Sequence, residues 1–215
     1  MTFRKLCTAL ALGFGASAPN AADIEIEVTN MTHGIYFTPL LVTSHDGASH
    51  LFQVGTAASA AVQAMAEDGA IDDLVAAQDA AGADATATGR GLILPGSSET
   101  FSIFVTAGSG STISLATMPV NTNDAFIGVR GAPVGGLTVG SSWTTYAPIY
   151  DAGTEANSAA AGNIPGPEDG SEGYNTARDD TDRVTRHPGV WIGDALSEAA
   201  RFDGPVARVT VTRAQ

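Results

Sequence analysis

Apolar and polar positions alternate from the start of the polar part of the chain. Ile24, Ile26 and Val28 are separated by Glu25, Glu27 and Thr29, the two-residue period of a strand with one face buried. Residues 30–34 read as a turn and 35–43 as a second strand, partly apolar on both faces. Pro39 inside it points to an edge or a bulge, because proline cannot donate to a strand ladder. Strand signals return at 92–94, 99–106, 112–118, 125–129 and 142–149, each bounded by Gly, Pro, Asn or Ser. The chain closes on Val206, Val209 and Val211, alternating with Arg208, Thr210 and Thr212. Several short strands with turn signals between them predict an all-β fold, an antiparallel β-sandwich or a barrel.

One stretch breaks the period. Residues 59–81 are rich in Ala, with Val62, Met65, Ile71, Leu74 and Val75 at helical spacings. Gly69 divides them into two short helices, and Asp68, Asp72 and Asp73 lie where the dipole of the second favours them. This reads as a helical insertion capping one end of the sandwich, with no cofactor role. Residues 80–91 read as a loop, 163–187 as a long acidic loop, and 193–200 as a short helical turn. No internal repeat or second-domain boundary is evident, so the expected organisation is a leader over 1–22 and one domain over 23–215.

The leader rests on Arg4 and Lys5, a brief apolar run over 6–14, and small residues up to Ala21 and Ala22. That is the pattern of a secretory signal peptide, with cleavage expected between Ala18 and Ala22. The run is shorter than the roughly 20 apolar residues of a membrane span. The expected product is therefore secreted or periplasmic, with no membrane insertion. The single cysteine, Cys7, and the single lysine, Lys5, both fall in this leader. Without Arg4 and Lys5, 8 basic residues face 23 acidic ones, a formal charge of −15. Nucleic acid and anionic membrane surfaces need clustered Arg and Lys, so the balance argues against both as partners, and no nucleic acid is expected.

Motifs for a catalytic serine, a zinc protease, a phosphate-binding loop or a dinucleotide site are absent, and His33, His45, His50 and His187 are scattered. The chemistry-bearing segment is Tyr150-Asp151-Ala152-Gly153-Thr154-Glu155, which follows an apolar strand. Two carboxylates four residues apart across a glycine can converge if the loop curls, and hard cations such as Ca²⁺ take several oxygen ligands. The same spacing also describes a turn in which Asp151 bonds its own backbone and Glu155 is solvated. Asp124, in Asn121-Thr122-Asn123-Asp124, adds a third carboxylate if its strand neighbours the one ending at Tyr150. Three crowded carboxylates need a cation to settle them.

The residues 123–129 (NDAFIGV), 150–155 (YDAGTE), Ile164-Pro165 and 207–213 (ARVTVTR) together resemble the spondin N-terminal family. The opening IEVTN (26–30) and FTPL (37–40) fit its bacterial branch. The resemblance spans about 23–213. It implies an antiparallel β-sandwich similar to C2 domains, with a divalent cation at one end. By that resemblance the ligands are Asp124, Asp151 and Glu155, with Glu155 standing where other members have Asp. An upstream acidic ligand of some members has no counterpart here; Glu99 is the nearest residue.

The implied function is a non-enzymatic, exported calcium-binding module of the adhesion type. In it the cation orders end loops that recognise a surface glycan or a matrix or envelope protein. The alternative is a metal-assisted hydrolase using the same site. Asp180-Thr181-Asp182 begins like a calcium loop but lacks the later ligands, so residues 163–187, with Glu168, Asp169, Glu172 and Asp179, read as a solvated acidic loop. His187 borders the metal end, and Trp143, Tyr146 and Trp191 read as core or rim packing.

Overall fold

The structure is a computed structural model describing residues 22–47, 49–106, 110–158, 160–170, 173–189, 196–202 and 204–215. The leader up to residue 21, Glu172 and Trp191 lie outside the described residues. In chain order the described strands and α-helices are β1 (Ala22–Asn30), β2 (Leu41–His45), α1 (Ala60–Asp68), α2 (Asp72–Ala80), β3 (Ala85–Thr88) and β4 (Ser98–Val105). There follow β5 (Thr112–Thr117), β6 (Ala125–Pro133), β7 (Ser142–Ala147), β8 (Ile149–Asp151), β9 (Thr185–Arg186) and β10 (Ala207–Arg213).

The strands form two antiparallel sheets, ordered β4-β1-β10-β7 and β3-β2-β5-β6-β8-β9. The first is built by simple alternation. Ile24, Ile26 and Val28 of β1 are fully buried while Glu25 is exposed. The register sets Ile26 opposite Val211 and Val28 opposite Val209 of β10. These side chains meet Val42, Ile113, Leu115, Ala125 and Ile127 of the second sheet in one core. The sandwich expected from the alternation is therefore what the chain forms, and neither sheet closes into a barrel.

The second sheet is apolar on both faces, which explains why its strands read less cleanly. Val42 faces the main core, but its neighbour Leu41 faces outward into a second cluster with Phe126, Phe52, Val62, Met65 and Leu74. The helical insertion covers this outer face rather than an end. The two helices fall where expected. Ser59 caps the first by accepting from Val62 N–H, and Gly69 ends it in the left-handed region at φ 72°. Leu74 is 1% exposed, and truncating such a side chain costs about 2–5 kcal/mol.

Several expectations change in detail. The strand placed at 35–43 begins only at Leu41, after Pro39; ahead of it Phe37 makes isolated bridges to Ile93 and Pro119. Residues 92–94 contribute only the Ile93 bridge. The loop at 80–91 contains β3, which pairs with β2 as an edge strand; its Ala-Thr-Ala-Thr sequence carries too little apolar weight to signal a strand. The single strand at 142–149 is two. Pro148 interrupts it, so that β7 pairs with β10 in one sheet and β8 with β6 in the other. That switch carries Asp151 into register with the start of β6. The helical turn expected at 193–200 is a 3₁₀ turn over Glu198–Ala200; residues 193–195 lie outside the described set.

Candidate metal centre

Asp124 and Asp151 come from adjacent ends of neighbouring strands. Ala125 pairs with Asp151 across the β6–β8 ladder, and the Ala152 N–H donates to the Asp124 carbonyl at 3.1 Å. Both side chains are buried, Asp124 completely. The turn over 151–155 then folds back. Asp151 Oδ1 accepts the Gly153 N–H at 2.7 Å, an Asx turn. Asp124 Oδ2 accepts the N–H groups of Thr154 at 2.7 Å and Glu155 at 3.1 Å. Gly153 sits at φ 71°, and a Cβ there would come within 2.4 Å of the Arg183 carbonyl oxygen. Only glycine fits that turn.

Asp124 and Asp151 are therefore set side by side, with Glu155 following on the same turn, and burial is the first cost of ionising each. Burial, then the Asp151 charge, pushes the Asp124 carboxyl up to about 7. Burial raises Asp151 too, against hydrogen bonds from Asn157 and Gly153. Glu155, half-buried, is pushed up to about 7 by burial and then by Glu67. Desolvation and like charge both disfavour the ionised form.

Glu67 was not legible as a site residue. It stands in the last turn of α1, 1% exposed, where the helix dipole disfavours an acid. Its Oε1 accepts the Thr154 hydroxyl at 2.7 Å and its Oε2 the Asn175 N–H at 2.9 Å. One turn earlier, Gln63 holds Arg178 Nε at 2.9 Å and the Asn175 carbonyl at 2.8 Å. The insertion thus reaches the turn that carries Glu155 and holds the acidic segment beside it. An acid and an amide four apart on an otherwise apolar helix face were the available signal.

The acidic segment is less solvated than expected. Asp182 N–H donates to the Gly153 carbonyl at 2.7 Å, Asp179 N–H to the Thr154 carbonyl at 3.2 Å, and Asp179 Oδ1 accepts the Ala156 N–H at 3.2 Å. Its charged side chains at 179, 180 and 182 remain exposed. Glu168 instead holds Ser197 through its N–H at 2.6 Å and hydroxyl at 2.8 Å, and Asp169 holds Ile164 N–H. Glu99 lies on β4 in the other sheet and accepts the Arg90 N–H at 3.0 Å.

His187 reaches the site through one intermediary. Its Nδ1 accepts the Gly189 N–H at 3.1 Å, which leaves Nε2 to donate to Asn157 Oδ1 at 2.9 Å. Asn157 Nδ2 in turn donates to Asp151 Oδ2. Burial lowers the His187 pKa to about 4, so the ring is neutral at pH 7 and its tautomer is set.

Among the described residues no group of three or more His, Cys, Asp or Glu side chains is placed to hold a metal ion. The donors nevertheless suit a hard cation. They are all oxygens, and Asp124 Oδ1 is buried with no hydrogen-bond partner, a state that costs about 1–3 kcal/mol or more for a charged group. The family described as Spondin_N matches residues 29–165, a span that holds Asp124, Asp151 and Glu155. No curated protein matches the chain.

Proposed function

The chain belongs to the Spondin_N family of extracellular, non-enzymatic binding domains, and from that premise we propose that it is an exported module whose end loops are ordered by Ca²⁺ held by Asp124, Asp151 and Glu155. The observation that supports this most directly is the orphaned Asp124 Oδ1. Buried acceptors almost always find a partner, and the charge that acts on Asp124 here is another carboxylate, Asp151. A divalent cation supplies the positive charge that lets all three ionise together. Its role in this reading is structural, since it binds the folded state only and stabilises by mass action.

The chain's own residues prepare the place. Backbone N–H groups of Thr154 and Glu155 fix one oxygen of Asp124, and the Asx turn and Asn157 fix both oxygens of Asp151. Glu67 holds the Thr154 side chain from behind. The loops so ordered, 151–158 and 173–183, form the proposed recognition surface. The hydrolytic alternative gains nothing from the site: His187 uses both ring nitrogens on Asn157 and Gly189.

The test is thermal melting of the exported chain in EGTA and in millimolar Ca²⁺, beside Asp124→Ala and Asp151→Ala. The expected result is a rise of several degrees for the wild type and none for either variant. If the wild type ignores Ca²⁺, Mg²⁺ and Mn²⁺ alike, the three residues are ordinary turn carboxylates.

A further inference from the structure

On the far side of His187 the surface opens into a cleft of about 740 Å³, lined among others by Tyr146, Pro148, Arg186, His187, Phe202 and Pro205. Its volume lies in the range of small-ligand sites. The walls are built features of the fold. Tyr146 lies in the last two residues of β7 and Pro148 makes the switch between sheets. Arg186 belongs to β9, where it pairs with Tyr150, and its guanidinium lies 5.2 Å from the centre of the Tyr150 ring. Tyr150 itself stacks on Phe126 at 5.4 Å and meets Phe52 at 4.8 Å. A cation resting on an anchored aromatic ring is restrained at little entropic cost.

The chemistry of the lining is unlike the rest of the molecule. Acidic residues outnumber basic ones 23 to 10 along the chain, yet none of the described lining residues is acidic. Arg186 is exposed and has no carboxylate partner among the described residues. A guanidinium with no carboxylate partner among the described residues, in a cleft whose described lining carries no acid, is complementary to an anion. The described lining carries one cationic side chain, so a planar monoanion held by two parallel N–H groups fits better than a phosphate dianion. The remaining walls include two aromatic side chains: Tyr146 is 54% exposed as a residue, and Phe202 lies against His187 at 5.4 Å. Such faces suit the C–H face of a sugar ring, with the Tyr146 hydroxyl available to its hydroxyl groups.

We propose that this cleft binds an acidic saccharide, a pyranose bearing a carboxylate, with Arg186 holding the carboxylate and Tyr146 and Phe202 flanking the ring. The inference rests on the binding-module reading and is independent of the cation.

A tetramer of galacturonate, titrated calorimetrically into the exported chain with EGTA and again with Ca²⁺, tests it beside the methyl ester of the same tetramer. The expected result is binding in both buffers, weakened at least about tenfold by esterification, by Arg186→Gln and by Tyr146→Ala, while both variants melt as the wild type does. Absence of binding in either buffer overturns the proposal. So does equal affinity for the ester, or displacement by inorganic phosphate or benzoate as readily as by the tetramer. A Ca²⁺-dependent melt without saccharide binding removes this proposal and leaves the metal reading standing. Saccharide binding without a Ca²⁺ response does the reverse.

Discussion

The Glu67 carboxylate accepts the hydroxyl of Thr154 at 2.7 Å, although 87 positions separate them in the chain. That contact joins the helical insertion on the outer face of one sheet to the turn that carries Glu155. The same hydroxyl lies 3.3 Å from Asp124 Oδ2, and with one proton to give it serves the nearer acceptor.

Replacing Thr154 by Val keeps the shape of the side chain and strands a buried carboxylate oxygen. The expected loss is about 1–3 kcal/mol in urea unfolding. Glu67→Gln is expected to lose less, because its amide oxygen still accepts one of the two bonds. A wild-type midpoint for Thr154→Val would show that α1 covers the sheet without supporting the turn.

The buried carboxylates make the metal-free protein pH-sensitive in a defined direction. The Asp124 carboxyl is raised from 3.8 to about 7 on folding. A raised folded pKa contributes stability that is complete below the unfolded value and lost as pH rises through the folded one. In EGTA, Asp124→Asn should therefore match the wild type near pH 4 and exceed it at pH 8, by an amount on the order of 4 kcal/mol at 1.36 kcal/mol per unit. Equal stability at both pH values would mean that Asp124 ionises in the fold without penalty.

His187 has the opposite sign. Its folded value, about 4, lies below the ordinary 6.5, so its contribution is present above pH 6.5 and lost as pH falls toward 4. His187→Gln in EGTA should flatten this acid limb while leaving stability at pH 8 little changed. An unchanged acid limb would place the proton uptake elsewhere.

Two glycines are expected to resist alanine for different reasons. A Cβ at Gly128 would lie 2.7 Å from Phe52 Cε1, an overpacking that costs about 1–3 kcal/mol. Phe52→Leu in the same chain should recover part of it. At Gly153 the obstacle is backbone, the Arg183 carbonyl, together with positive φ. No second substitution of a side chain is expected to rescue Gly153→Ala, and circular dichroism melts of the two pairs make the comparison.

The sequence by itself determined the elements whose environment is one-sided. β1 and β10 alternate because one face meets the core and the other meets water, and the two helices declare themselves through Ser59, Gly69 and their spacing. The carboxylates at 151 and 155 stood out because a glycine-containing turn between acids is a local feature, while Asp124 entered only on the condition that its strand lay beside theirs and through the family resemblance. Tertiary structure alone decided the rest. Whether Asp124 neighbours Asp151 depended on Pro148 moving the chain from one sheet to the other, a pairing between residues far apart that no local pattern encodes. Glu67, Asn157 and His187 joined the site through contacts across 87, 6 and 30 positions. Periodicity records which face of an element is buried. It does not record what that face is buried against, and here that neighbour brings a helix to the carboxylates and leaves Arg186 facing a cleft.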